Sequence, residues 1–150
     1  MGSKVLALLV ASLAGVTMAF QGTVNAALGK VVGLVEATFV VHAVGVVLAG
    51  VLLGVAQLGV GGLVKLGQAP WYTYLGGILG VLIIYEVVRS IPKVGVAPAT
   101  TAIVLGQVLT AALIDHLGLF GMQKLPFTWY RVVAALLMAA GAWLMLRGGR

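Results

Sequence analysis

Apolar residues in this chain come in long runs broken by glycine, proline and charge. The runs cover about 5–28, 35–58, 71–88, 94–117 and 126–146. A helix that crosses the hydrocarbon core of a bilayer needs about 20 mainly apolar residues, so each run is long enough to be a span. The breaks are of the expected kind. Gly29, Lys30 and Gly33 separate the first two runs. The stretch Gly59 to Pro70, with Gly61, Gly62, Lys65 and Gly67 inside it, predicts the longest loop. Arg89, Ser90, Pro92 and Lys93 close the third run, and Gly118 to Lys124 form the next loop. Pro98 falls in the first turns of the fourth helix, where proline is tolerated, and Pro126 opens the fifth. Trp71, Tyr72, Tyr74, Trp129, Tyr130 and Trp143 lie near run ends, at the headgroup depth that amphipathic rings favour. The pattern predicts an all-α membrane protein, a single five-span domain over residues 1–150.

Composition agrees. The chain is 62% hydrophobic and 8% charged, against roughly a quarter charged in an ordinary soluble domain. Lys4, the apolar run from Val5 and Thr17-Met18-Ala19 before Phe20 have the layout of a signal peptide. The apolar character continues to Leu28, past a signal-peptide core, so the segment is expected to stay as the first span. With no cysteine, neither a disulfide framework nor a thiolate metal site is available. The net charge of +6 comes from basic residues scattered singly in loops and at helix ends. That scatter suits membrane orientation and argues against nucleic acid as a partner.

Five spans place the termini on opposite sides. The N-terminal side holds Lys4, Lys65, Lys124 and Arg131, and the other holds Lys30, Arg89, Lys93, Arg147 and Arg150, four against five. Orientation by the positive-inside rule needs an imbalance. The near-equality predicts insertion in both directions.

Polar residues inside spans are costly and mark function or helix contact. Thr17, Gln21 and Asn25 are spaced by four and form a polar stripe on the first helix. Glu36 and His42 follow on the second, six residues and about 120° apart, so both can border a cavity without sharing a narrow face. Gln107 sits near the middle of the fourth span. Thr17, Gln21, Asn25, Glu36, His42 and Gln107 are therefore the candidate solute-binding residues, and Glu36, His42 and Asp115 the candidate proton carriers. The plainer readings are that the amides join neighbouring helices, that Glu86 pairs with Arg89 three residues on, and that Asp115-His116 is a wet helix end stopped by Gly118. Gly50-x-x-x-Gly54 and Gly76-x-x-x-Gly80 allow close helix approach, a weak signal in a chain with 22 glycines. Enzyme motifs are absent: there is no phosphate loop and no zinc spacing. No cofactor or metal is expected.

Phe20-Gln21-Gly22-Thr23-Val24-Asn25-Ala26-Ala27-Leu28-Gly29 resembles the first-helix pattern of the YdcZ-type inner-membrane exporters of the drug/metabolite transporter superfamily. Glu36-Ala37-Thr38-Phe39-Val40-Val41-His42 is similar to that family's second helix, and Gly106-Gln107 with Ile114-Asp115-His116-Leu117-Gly118-Leu119-Phe120-Gly121 to its most distinctive segment. The likeness runs over essentially the whole chain. It implies a half-size exporter in the inner membrane, related to proteins with two inverted five-helix halves. Two copies in opposite orientations, an antiparallel homodimer, would recreate that arrangement, with the solute held between inverted repeats. A passive ion or small-solute channel built from the same dimer is the competing reading, and a non-transporting scaffold the third. Titratable Glu36 and His42 favour coupled transport, since a channel needs no proton site.

Overall fold

The computed structural model describes residues 2–55 and 60–147. Met1, the expected end of the second span at Leu58, Gly59 and Gly148 to Arg150 lie outside the described residues. The chain is helical, and among the described residues there is no strand. The α-helices are α1 (Gly2–Val32), α2 (Leu34–Val55), α3 (Leu75–Val94), α4 (Val96–Leu117) and α5 (Trp129–Arg147). Among the described residues, five segments are long and apolar enough to cross a membrane: Lys4–Val32, Leu34–Val55, Trp71–Val94, Val96–Leu117 and Trp129–Arg147. Large side chains such as Leu8, Phe20, Phe39, Val46 and Leu137 are exposed along them. Lipid, not water, suits that surface, because backbone polar groups are satisfied within each helix.

Several boundaries differ from the sequence pattern. Helix α1 runs through Gly29 and Lys30, and a single residue, Gly33, separates it from α2. Gly33 has φ +104°, a conformation that side chains rarely adopt, so one glycine breaks the helix where a longer turn was expected. Gly95, at φ +92°, does the same between α3 and α4. Helix α3 continues through Pro92 to Val94. Pro92 has no N–H to give the Val88 carbonyl, so one bond of the last turn is missing, while the Ser90 hydroxyl donates to the Val87 carbonyl at 3.2 Å. Within the expected long loop, Val60–Gln68 winds as a 3₁₀ helix, followed by a 3₁₀ turn at Trp71–Tyr74. Tyr74 Oη donates to the Leu66 carbonyl at 2.6 Å and fastens the two pieces.

The chain divides into two compact units, Met1–Lys93 and Val94–Arg150. In the first, α1 and α2 form a hairpin, and α3 packs against α1 through small residues. A Cβ built at Gly22 would lie 3.2 Å from Val87 and Ile91, and one at Gly29 would collide with Val88 Cγ1. Ala26, Ala37, Val88 and Ile91 are buried in this unit. Without a hydrophobic force between helices in lipid, such close approach is what holds them. In the second unit α4 and α5 form the pair. Helix α4 ends at Gly118, in the left-handed conformation at φ 66°, whose N–H bonds the Ile114 carbonyl at 2.8 Å.

Candidate functional site

Thr38 and His42 lie one turn apart on α2 and share a face. His42 is eight residues past Leu34, about 12 Å along the helix. Its Nδ1 lies 2.8 Å from the Thr38 carbonyl oxygen. A carbonyl only accepts, so Nδ1 carries the hydrogen and donates it. The neutral ring then keeps its lone pair on Nε2. That nitrogen faces Gly80 of α3, where a Cβ would stand 3.6 Å away. The ring borders an open cleft of about 270 Å³ lined by Val35, Thr38, Phe39, His42, Val81 and Tyr85. The Thr38 hydroxyl donates to the Leu34 carbonyl at 2.9 Å, and the surface that the cleft presents is apolar.

The other polar residues of the first unit are dispersed. Glu36 is exposed and lines no part of that cleft. Its carboxylate turns back over Gly33, where a Cβ would meet Oε2 at 2.5 Å. An acid over the first turn of α2 is favoured by the helix dipole. Asn25 is 5% exposed, and its Nδ2 finds no hydrogen-bond partner. Thr17 and Gln21 are exposed, and the Thr17 hydroxyl donates to its own helix at the Leu13 carbonyl, 3.0 Å away. Residues spaced by four drift by about 40° per step, which is how Asn25 reaches a buried seam while Thr17 does not. Glu86 and Arg89 are both exposed and no ion pair joins them; among the described residues the ion pair is Arg131–Asp115.

That pair belongs to the second unit. Arg131 Nη1 of α5 lies 3.5 Å from Asp115 Oδ2 of α4, at ion-pair distance but without hydrogen-bond geometry. The Asp115 backbone carbonyl accepts the Leu125 N–H at 2.8 Å, and His116 Nδ1 accepts the Phe127 N–H at 3.1 Å. The Phe127 ring meets His116 edge-on, with centroids 6.2 Å apart. The end of α4 is thus a latch on the approach to α5. Leu125 and Phe127 are pinned to it, and α5 starts at Trp129 rather than at Pro126. A second cleft, about 250 Å³, lies beside the latch between Val108, Ala112, Asp115, Phe127, Arg131 and Ala135. Gln107 is exposed on α4 and is not among its lining residues.

A family model described as "Putative inner membrane exporter, YdcZ" matches residues 6–144. The chain belongs to this family. No curated protein and no solved structure matches it. Family and helices together make this YdcZ-family chain a multi-pass protein of the inner membrane.

Sequence reasoning on this YdcZ-family chain passed over Thr38, Gly80, Tyr85 and Arg131. Thr38 stands four residues before His42, a spacing that places both on one helix face. Gly80 was visible only as half of a glycine pair; its partner Gly76, like Gly50 and Gly54, meets no described atom within 4 Å. Arg131 near the start of an apolar run called for an acid, and Asp115 is that acid.

Proposed function

We propose that this YdcZ-family chain is half of a secondary exporter for a small solute. Two copies inserted in opposite directions form an antiparallel homodimer, and proton exchange at His42 drives the solute outward. The observation that carries the reading is the state of His42. It lies within a span-length helix, and a proton on Nε2 would leave the Nδ1 bond to Thr38 intact. In the dimer the solute path is bordered by Thr17, Gln21, Asn25, Glu36, His42 and Gln107. The unspent Nδ2 donor of Asn25 supports its inclusion. Glu36 and Asp115 are secondary proton candidates, because the first turns back over the start of its own helix and the second faces Arg131. The balanced charge of four against five supports the opposed orientations.

Purified protein in liposomes tests this. Saturable flux that follows an imposed pH gradient is expected. Flux that never saturates and ignores the gradient would make the dimer a passive channel. Reporters fused to either terminus should be active on both sides of the membrane, and a single orientation in native membranes would overturn the antiparallel homodimer.

A further inference from the structure

The α4–α5 cleft is graded from charged to apolar along its length. Its charged end holds Asp115, two residues before α4 stops at Leu117, and Arg131, two residues after α5 starts at Trp129. From there the wall is apolar, through Ala112 to Val108 on α4 and along Ala134 and Ala135 on α5. Val108 is seven residues from Asp115, about 10 Å along the helix. Both helices are long enough to span a membrane, and the ends of spans meet the headgroups. The exposed Trp129 and Tyr130, just before Arg131, are residue types that settle at that level. The two charges are incompletely used. Arg131 Nη1 and Asp115 Oδ2 stand 3.5 Å apart, both side chains are half-buried, and Nη1 is shielded from solvent with no hydrogen-bond partner. An unpaired buried donor is costly. A guanidinium carries five N–H donors and a carboxylate accepts at about four positions, so both have capacity left. Lys124 and His116 line no part of the cleft, and His116 Nδ1 is spent on the Phe127 N–H. A lone anion at Arg131 would meet the Asp115 carboxylate, and a lone cation at Asp115 would meet the guanidinium. A headgroup that carries both signs meets an opposite charge at each.

We propose that this cleft holds one zwitterionic phospholipid with a primary ammonium in its headgroup, a phosphatidylethanolamine. Its phosphate accepts from Arg131, its ammonium donates to Asp115, and one acyl chain lies along the alanine wall toward Val108. The planar fork of an arginine matches phosphate oxygens, and a primary ammonium has three N–H donors for the carboxylate. Full methylation of that ammonium keeps the charge and removes the donors. A glycerol headgroup removes the cation and sets a net negative charge against Asp115. A lipid suits the cleft better than a free zwitterion, because a headgroup alone would leave the apolar wall uncovered. The site goes beyond the exporter reading and does not rest on it.

Native mass spectrometry of the purified full chain tests the site. The chain is incubated with equal amounts of phosphatidylethanolamine, phosphatidylcholine and phosphatidylglycerol that share the same acyl chains. Phosphatidylethanolamine should be retained at least about fivefold over each of the others. Asp115→Asn should erase its advantage over phosphatidylglycerol. Arg131→Gln should lower retention of all three lipids. Ala134→Leu, which narrows the apolar wall and leaves both charges in place, should lower retention of all three and keep their order. These orders are read within one spectrum, so a partial loss of folded protein does not mimic them. Equal retention of the three lipids, a preference for phosphatidylglycerol, or an Asp115→Asn chain that keeps the native order would each overturn the proposal. Binding of chainless glycerophosphoethanolamine as tight as that of the lipid would overturn it too, and would make the cleft a site for a water-soluble zwitterion. None of these readouts measures flux, so their failure leaves the exporter reading standing.

Discussion

The two histidines of this chain are held in opposite tautomers, and the contrast separates a group that can work from one that is already employed. In the first unit His42 donates from Nδ1 to the Thr38 carbonyl, so its basic nitrogen, Nε2, is left toward Gly80 of α3. In the second, His116 accepts at Nδ1 from the Phe127 N–H, so its basic nitrogen is consumed by the loop. A proton added to His42 lands on a free nitrogen. A proton added to His116 must first displace a backbone hydrogen bond. The carboxylates divide the same way in reverse: Asp115 has its cation in Arg131, while Glu36 answers only the start of its own helix. The two clefts have similar volumes, about 270 and 250 Å³.

The largest effect should separate the units by function. His42→Ala should lower pH-gradient-driven flux by about tenfold or more, as expected for an intramembrane ionisable group with a role in transport. Asp115→Asn should leave the gradient dependence in place. If Asp115→Asn abolishes coupling and His42→Ala does not, the contrast is reversed and the latch is the proton site.

Packing supplies the next test. Gly29→Ala places a Cβ against Val88 Cγ1, and overpacking of this kind costs about 1–3 kcal/mol. Val88→Ala in the same chain should recover much of the loss. In the second unit Gly141 meets nothing within 4 Å, so Gly141→Ala should be neutral or gain about 0.5–1 kcal/mol from helix propensity. Thermal unfolding in detergent measures both, and equal effects would show that α1 and α3 do not press together at Gly29.

A smaller effect is expected at the latch. Side chains of Arg131 and Asp115 are 33% and 38% exposed, so the ion pair is partly screened. Asp115→Ala should cost about 1 kcal/mol or less, and exchanging the two residues should restore part of it. Full stability of Asp115→Ala would mean that the Leu125 and Phe127 backbone bonds hold the end of α4 unaided. Gly80→Ala should have the smallest effect. Its Cβ would make ordinary contact with His42 Nε2 at 3.6 Å, so stability should move by less than about 0.5 kcal/mol, and a larger loss would show that α2 and α3 press together at this point.

Much of the architecture can be read without coordinates, because the bilayer imposes it. Runs of apolar residues long enough to cross must become helices, and the five runs of this sequence did. The motifs around Gln21, Glu36 and Asp115 also carried the family, which the match over residues 6–144 shows. Spacing along one helix is likewise legible, and it put Glu36 and His42 on the same element. Spacing does not say which helix comes to meet a given face. Glu86 and Arg89 had the right separation for a pair, yet Arg131 found its acid on another helix, 16 residues away in sequence. Thr17, Gln21 and Asn25 formed one stripe in sequence, but α1 turns enough over two steps for Asn25 alone to be buried. The tautomer of each histidine depended on what lay against Nδ1, a carbonyl of its own helix in one case and an amide of a distant loop in the other. Lipid solvation acts on composition, which the sequence carries in full. The protonation and pairing of a polar group depend on partners within about 3 Å, and tertiary structure brings many of those partners into place.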